Sequence, residues 1–265
     1  MRRLIGSLTR AFLVLIVVAA PAFLLPTTTR TGQEVSLIIG GLIAAFTMFE
    51  YASSHPGLVD FRFAPPYNRI RFLSFALLIF ALVFVCRATV GADPFSDDVL
   101  AVADRVVALT SLPLTPANIA FNMVGAGGDP EFGLLIHRAA AVSATISIGA
   151  LVFFTLYIWI FRWPTERENF NLWVNLPTFD PTSNKDVAWR LRRGGLVNVM
   201  VGLSLPYAIL TVVSRSGGWF DPSALQNHQS LVWGCVFWVF LPSVLFIRGT
   251  AMLKIAWLIN RAQDS

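Results

Sequence analysis

The sequence predicts an all-α fold: a polytopic transmembrane bundle of six spans, both termini cytoplasmic, forming one integral membrane domain over residues 1–265. Three observations predict it. Charged residues make up 13% of the chain, against about 25% in a soluble domain. The mean hydropathy is +0.66. The apolar residues gather in six runs, each near the ~20 residues that a bilayer core demands of a helix. No water satisfies the backbone in that core, so such runs cross as helices and not as open strands.

The first span covers 8–25, around AFLVLIVVAAPAFLL. Its basic leader and Ala20-Pro21-Ala22 also fit a cleaved signal peptide, but the apolar run continues past that point, which favours an uncleaved anchor. The second span covers 35–52, the third 72–91, the fourth 133–161, the fifth 196–213 and the sixth 229–247. Pro21, Pro206 and Pro242 fall inside spans and predict local bends. Gly40-Gly41 with Ala44 and Ala45, and Ala139-Ala140-Ala141 with Ala144, predict close-packing faces.

Lys/Arg bias sets the orientation. Arg2, Arg3 and Arg10, then Arg62, Arg69 and Arg71, then the 162–195 connection, then Arg248, Lys254 and Arg261 all fall on one side. That side is therefore expected to be cytoplasmic. Trp163, Trp189 and Trp257 are expected as interfacial anchors there, and Trp219 on the other side. The positive charges collect at span ends, so the net charge of +5 points to lipid and not to nucleic acid. Arginine outnumbers lysine eighteen to two, a composition of GC-rich genomes, and the chain is expected in a bacterial inner membrane.

Two connections are large. The outer one, 92–132, is acidic. Ser96-Asp97-Asp98 reads as an N-cap with acids in the first turn. Val99, Val102, Ala103, Val106 and Val107 form the apolar face of an amphipathic helix over 96–112, ended before Pro113. NMVGAGGDPEF then reads as a flexible turn, because neither phosphate-loop pattern is present. The inner connection, 162–195, has capping-box spacing at Thr165/Glu168 and at Ser183/Asp186. Arg190, Arg192 and Arg193 precede the fifth span and read as an anchor for anionic lipid headgroups.

Two clusters carry candidate chemistry. FEYASSHPGLVDFRFAPPYNRIRF, residues 49–72, packs Glu50, His55, Asp60, Arg62 and Arg69 into one inner loop. An ionisable residue inside a span is a functional hypothesis by default, but Glu50 sits near the end of its span. The favoured reading is a loop that ties itself together through salt bridges, with Arg69 neutralising Glu50. On the outer side, Arg87, His137, Arg138 and His228 lie at one depth. Together they suit an anionic or carbonyl ligand such as a lipid headgroup or quinone. Alternatively, Asp93, Asp129 and Glu131 dock onto the two arginines. His137 and His228 also leave a haem geometrically open. Cys86 and Cys235 share that depth and are candidates for a disulfide, or for buried thiols.

No zinc spacing, nucleophile elbow, metalloprotease motif or P-loop is present, and three histidines are too few for a histidine-rich di-iron site. No metal and no obligate cofactor are expected. The sequence thus favours a non-catalytic subunit or assembly factor of a larger membrane complex, with lipids and other membrane proteins as partners. A small-solute or lipid transporter, and an enzyme or binding protein for lipid or quinone at the outer face, are the alternatives.

Overall fold

The computed structural model describes residues 2–54, 57–125, 129–161, 163–164, 171–179, 186–215 and 221–263. His55, Arg162, Thr165, Arg167, Glu168, Ser183, Lys185 and Trp219 lie outside the described residues. Among the described residues the chain is all-helical, and six helices are long and apolar enough to cross a membrane. That composition suggests a multi-pass membrane protein.

The six are α1 (Arg2–Leu24), α2 (Arg30–Ala52), α3 (Tyr67–Thr89), α6 (Pro130–Ile160), α8 (Val187–Arg215) and α9 (His228–Gln263). Between them lie α4 (Ser96–Thr110), α5 (Pro116–Ala120), which runs into a π-helical turn at Phe121–Gly125, and α7 (Leu172–Asn175). Most long helices exceed the apolar runs that predict them. Backbone hydrogen bonding continues past the last apolar residue, so α9 reaches Gln263 and takes Arg248 and Lys254 with it. The basic segment before the fifth span is likewise one helix with it. Asp186 caps this helix, accepting the Ala188 N–H at 2.8 Å.

α3, α6 and α9 form the centre. α1 packs on α2 and α3, and α8 packs chiefly on α9. α3 turns Leu78, Ile79, Leu82, Val83 and Cys86 inward, a helical stripe. Gly40 of α2 faces Leu15 and Val18 of α1 and Ala44 is buried, as the small-residue pattern predicts, but a Cβ on Gly41 would meet no atom within 4 Å and Ala45 is exposed. The tightest approach is elsewhere. A Cβ on Gly249 would lie 2.6 Å from the Gly195 carbonyl oxygen, and one on Gly202 would lie 2.8 Å from the Phe246 nitrogen. α8 and α9 therefore touch backbone to backbone.

Contacts divide the bundle into two ends. The start of α1, the described residues between α2 and α3, the start of α8 and the end of α9 lie at one, here the terminal side. The 25–29 turn, α4 and the start of α6 lie at the other, the far side. α4 docks on α3 and α6 through Val99, Ala103, Val106 and Val107. Val102 is 58% exposed, one position off that face. Ser96 is the first helical residue, not the cap: its hydroxyl donates to the Asp93 carbonyl at 2.7 Å. Thr115 caps α5, with Pro116 at the first helical position, a signal that sequence analysis passed over.

Candidate functional site

The inner loop is built around two residues that close the end of α2. The Glu50 carboxylate accepts N–H bonds from Gly57, Leu58 and Val59 at 3.1–3.3 Å. Arg62 answers from the other direction. Its guanidinium donates to the carbonyls of Glu50 (2.6 Å), Tyr51 (2.6 Å) and Ser53 (2.8 Å), three of the orphan acceptors that a helix C-terminus leaves. Arg62 also lies over the Tyr51 and Phe63 rings. Arg69, expected to neutralise Glu50, is exposed and takes no part. Backbone amides do that work, because the chain folds back on α2 within seven to nine residues. Arg62→Lys replaces a three-acceptor fork with a point donor. It is expected to cost about 1–3 kcal/mol and to speed proteolytic cleavage within residues 53–66.

Beyond this closure the loop enters the bundle. Phe61 is 1% exposed and has φ of 51°. Its ring meets Tyr67 at 4.6 Å and Trp163 at 5.4 Å, and Phe154 completes the cluster. Trp163, expected at the interface, is buried instead and donates to the Ala64 carbonyl at 3.2 Å. Asn175 of α7 pins the loop, its carbonyl accepting the Phe61 N–H and its side-chain oxygen the Phe63 N–H.

Asp60 pairs with Arg248 of α9 at 2.8 Å, and Arg248 also donates to Thr178. Burial pushes the Asp60 carboxyl above its ordinary value, outweighing the nearby charges of Arg248 and Arg71. Besides Arg248 Nε, which faces Asp60 Oδ2 across the ion pair, three buried atoms in this neighbourhood, Asp60 Oδ1, Tyr67 Oη and Arg71 Nε, have no hydrogen-bond partner. Donor and acceptor atoms of this kind suit a buried water. Arg248 is expected from sequence only as an orientation charge, and Tyr67 only as one polar residue of the loop, so the pairing of Asp60 with Arg248 is found only in the structure. The available signal was an arginine placed directly at the end of an apolar run.

On the far side Arg87 and Arg138 each have their own acid. Arg87 binds Asp93 through two nitrogens and also donates to the Leu24 carbonyl. Arg138 forks onto Asp104 of α4 at 2.6 and 2.7 Å. Asp93 is one of the expected partners. Asp104 is not: Asp129 instead caps α6, accepting the Glu131 N–H. His137 stacks on Phe121 at 4.5 Å, with its Nε2 buried and unpartnered. His228 begins α9 with Nδ1 likewise unpartnered. Among the described residues no hydrogen bond or ion pair joins any two of Arg87, His137, Arg138 and His228. Cys86 and Cys235 are buried free cysteines, so the candidate disulfide is not formed. Among the described residues no group of three potential ligands gathers to hold a metal.

The two ends respond oppositely to acid. The arginines hold the Asp93 and Asp104 carboxyls below the ordinary value of 3.8. Their pairs contribute fully above that value and are lost as pH falls through the lower folded-state values. For Asp60 the folded state binds the proton more readily, so its contribution to stability rises as pH falls through its raised value. Hydrogen exchange is expected to show acid loosening α4 while residues 57–63 stay protected. Equal loosening at both ends would contradict this assignment.

Midway along the centre, the Ser147 and Ser243 hydroxyls bond to each other. They and Ser74 line a cavity of about 10 Å³ between α3, α6 and α9, room for one water. No family model matches the chain, and neither a curated protein nor a solved structure matches it.

Proposed function

We propose that the chain is a non-catalytic subunit or assembly factor of a larger membrane complex, seated in a bacterial inner membrane with the terminal side in the cytoplasm. The observation that carries this reading is how the candidate ionic groups are spent. Glu50, Asp60, Arg62, Arg87 and Arg138 all bind groups of the chain itself. A ligand clamp on the far side would have to displace a carboxylate that already forks onto each arginine.

The packing adds a second support. α2 rests chiefly on α1, and its Ile38, Leu42 and Phe49 are 64–70% exposed. α8 rests chiefly on α9, with Val197, Met200 and Val212 similarly open. Two long apolar helices at the margin of the bundle suit the helices of a neighbouring subunit.

Purification of the tagged chain from native membranes in mild detergent, with mass spectrometry of what accompanies it, tests the reading. Stoichiometric partner proteins are expected. A chain that emerges alone or with a bound quinone overturns it, and favours the transporter or outer-face alternatives. The native cysteines are buried, so orientation is readable by labelling. A thiol at Ser111→Cys is expected to react with an impermeant maleimide in intact cells, and one at Arg192→Cys only after lysis. The reverse pattern would invert the topology.

A further inference from the structure

Lys254 is a charged residue that the rest of the fold does not use. It lies in α9, beyond the predicted end of the sixth span, and is 4% exposed. Its ammonium sits 4.2 Å from the ring centroid of Trp159, at the end of α6, and 4.4 Å from that of Trp257. The Arg261 guanidinium lies over the same Trp257 ring at 5.4 Å. Two cations thus share one indole, and among the described residues no carboxylate pairs with either.

Ring faces attract a cation but do not neutralise it. The charge of the cluster therefore stays uncompensated where it is partly removed from water. The two indoles are 46% and 40% exposed. Half-exposed tryptophans at the end of apolar helices belong at the headgroup level of a bilayer. An anionic headgroup there supplies the missing negative charge, and the packed lysine stem and indoles supply apolar walls for its glycerol region.

We propose that Lys254, Arg261, Trp159 and Trp257 form a site for the phosphate of an anionic phospholipid headgroup. The site is distinct from the arginines that begin α8: its lysine is held between two indoles, whereas Arg190 lies over Phe179 and Arg193 over Trp189. The inference rests on the helices crossing a bilayer and is independent of the subunit reading.

The test uses the full chain reconstituted in phosphatidylcholine vesicles, with brominated phosphatidylglycerol or brominated phosphatidylcholine as quencher of tryptophan fluorescence. The wild-type chain is expected to prefer phosphatidylglycerol. Lys254→Gln is expected to reduce that preference about fivefold, the effect of one cation at an anionic surface, and Lys254→Arg to retain most of it. If Lys254→Gln fails to fold, Arg261→Gln carries the same expectation. Unchanged selectivity in a folded glutamine variant overturns the proposal. Loss of selectivity in excess inorganic phosphate at matched ionic strength also overturns the lipid assignment, in favour of a soluble phosphate. If brominated phosphatidylcholine itself fails to quench, the bilayer reading fails, an outcome separable from loss of the headgroup preference.

Discussion

Gly249→Ala is expected to push α8 away from α9 and to destabilise the bundle by about 3 kcal/mol, the upper end of what overpacking costs. The added methyl carbon would lie 2.6 Å from the Gly195 carbonyl oxygen and 2.8 Å from the Val199 nitrogen. Both obstacles are backbone, so no side chain can turn aside to make room. Helices of this kind associate through close packing and not through exclusion of water, so a forced separation is not repaid by other contacts. Gly202→Ala meets the Phe246 nitrogen and the Pro242 carbonyl at 2.8 Å and is expected to act the same way. Gly41→Ala, with open space around it, is the control and is expected to lose nothing. Thermal stability in detergent, read by size exclusion after heating, separates these outcomes. Equal behaviour of Gly249→Ala and Gly41→Ala would refute the backbone contact.

Phe61→Ala is expected to cost about 3–5 kcal/mol, as for other buried aromatics truncated to alanine. The ring is the centre of the Tyr67, Phe154 and Trp163 cluster and fixes the loop against α3 and α6. The position carries an additional signature. A φ of 51° lies in the left-handed region, which costs an L-residue about 1–2 kcal/mol. The burial of the ring offsets that strain in the wild-type chain. Alanine loses the ring and keeps the strain; glycine loses the ring and relieves it. Phe61→Gly is therefore expected to be the more stable variant by about 1–2 kcal/mol, the reverse of the usual order for two such truncations. The same heating assay decides the order.

How far each element is legible in the sequence depends on whether it is specified by neighbouring residues or by distant ones. The six apolar helices and the amphipathic α4 were legible because hydropathy and periodicity are properties of neighbouring residues. Their ends were not, because a helix continues for as long as its backbone bonds close. α9 accordingly runs past the predicted end at 247 to Gln263 and carries Arg248 and Lys254 with it. The density of polar groups in residues 49–72 was legible as a loop that binds itself, yet the partners were misassigned. Glu50 was matched with Arg69 on charge, while the chain reversal brings it three backbone amides instead.

By itself, then, the sequence determined the fold class, the number of apolar helices and the division of charge between the two ends. These follow from composition summed along the chain. Only the tertiary structure decided that Arg138 meets Asp104, that Asp60 meets Arg248, and that Gly195, Gly202 and Gly249 share one interface. Each of those contacts joins segments far apart in the sequence. Its existence depends on the rotation and depth of one helix against another, set by the packing of whole surfaces and not by any local run of residues.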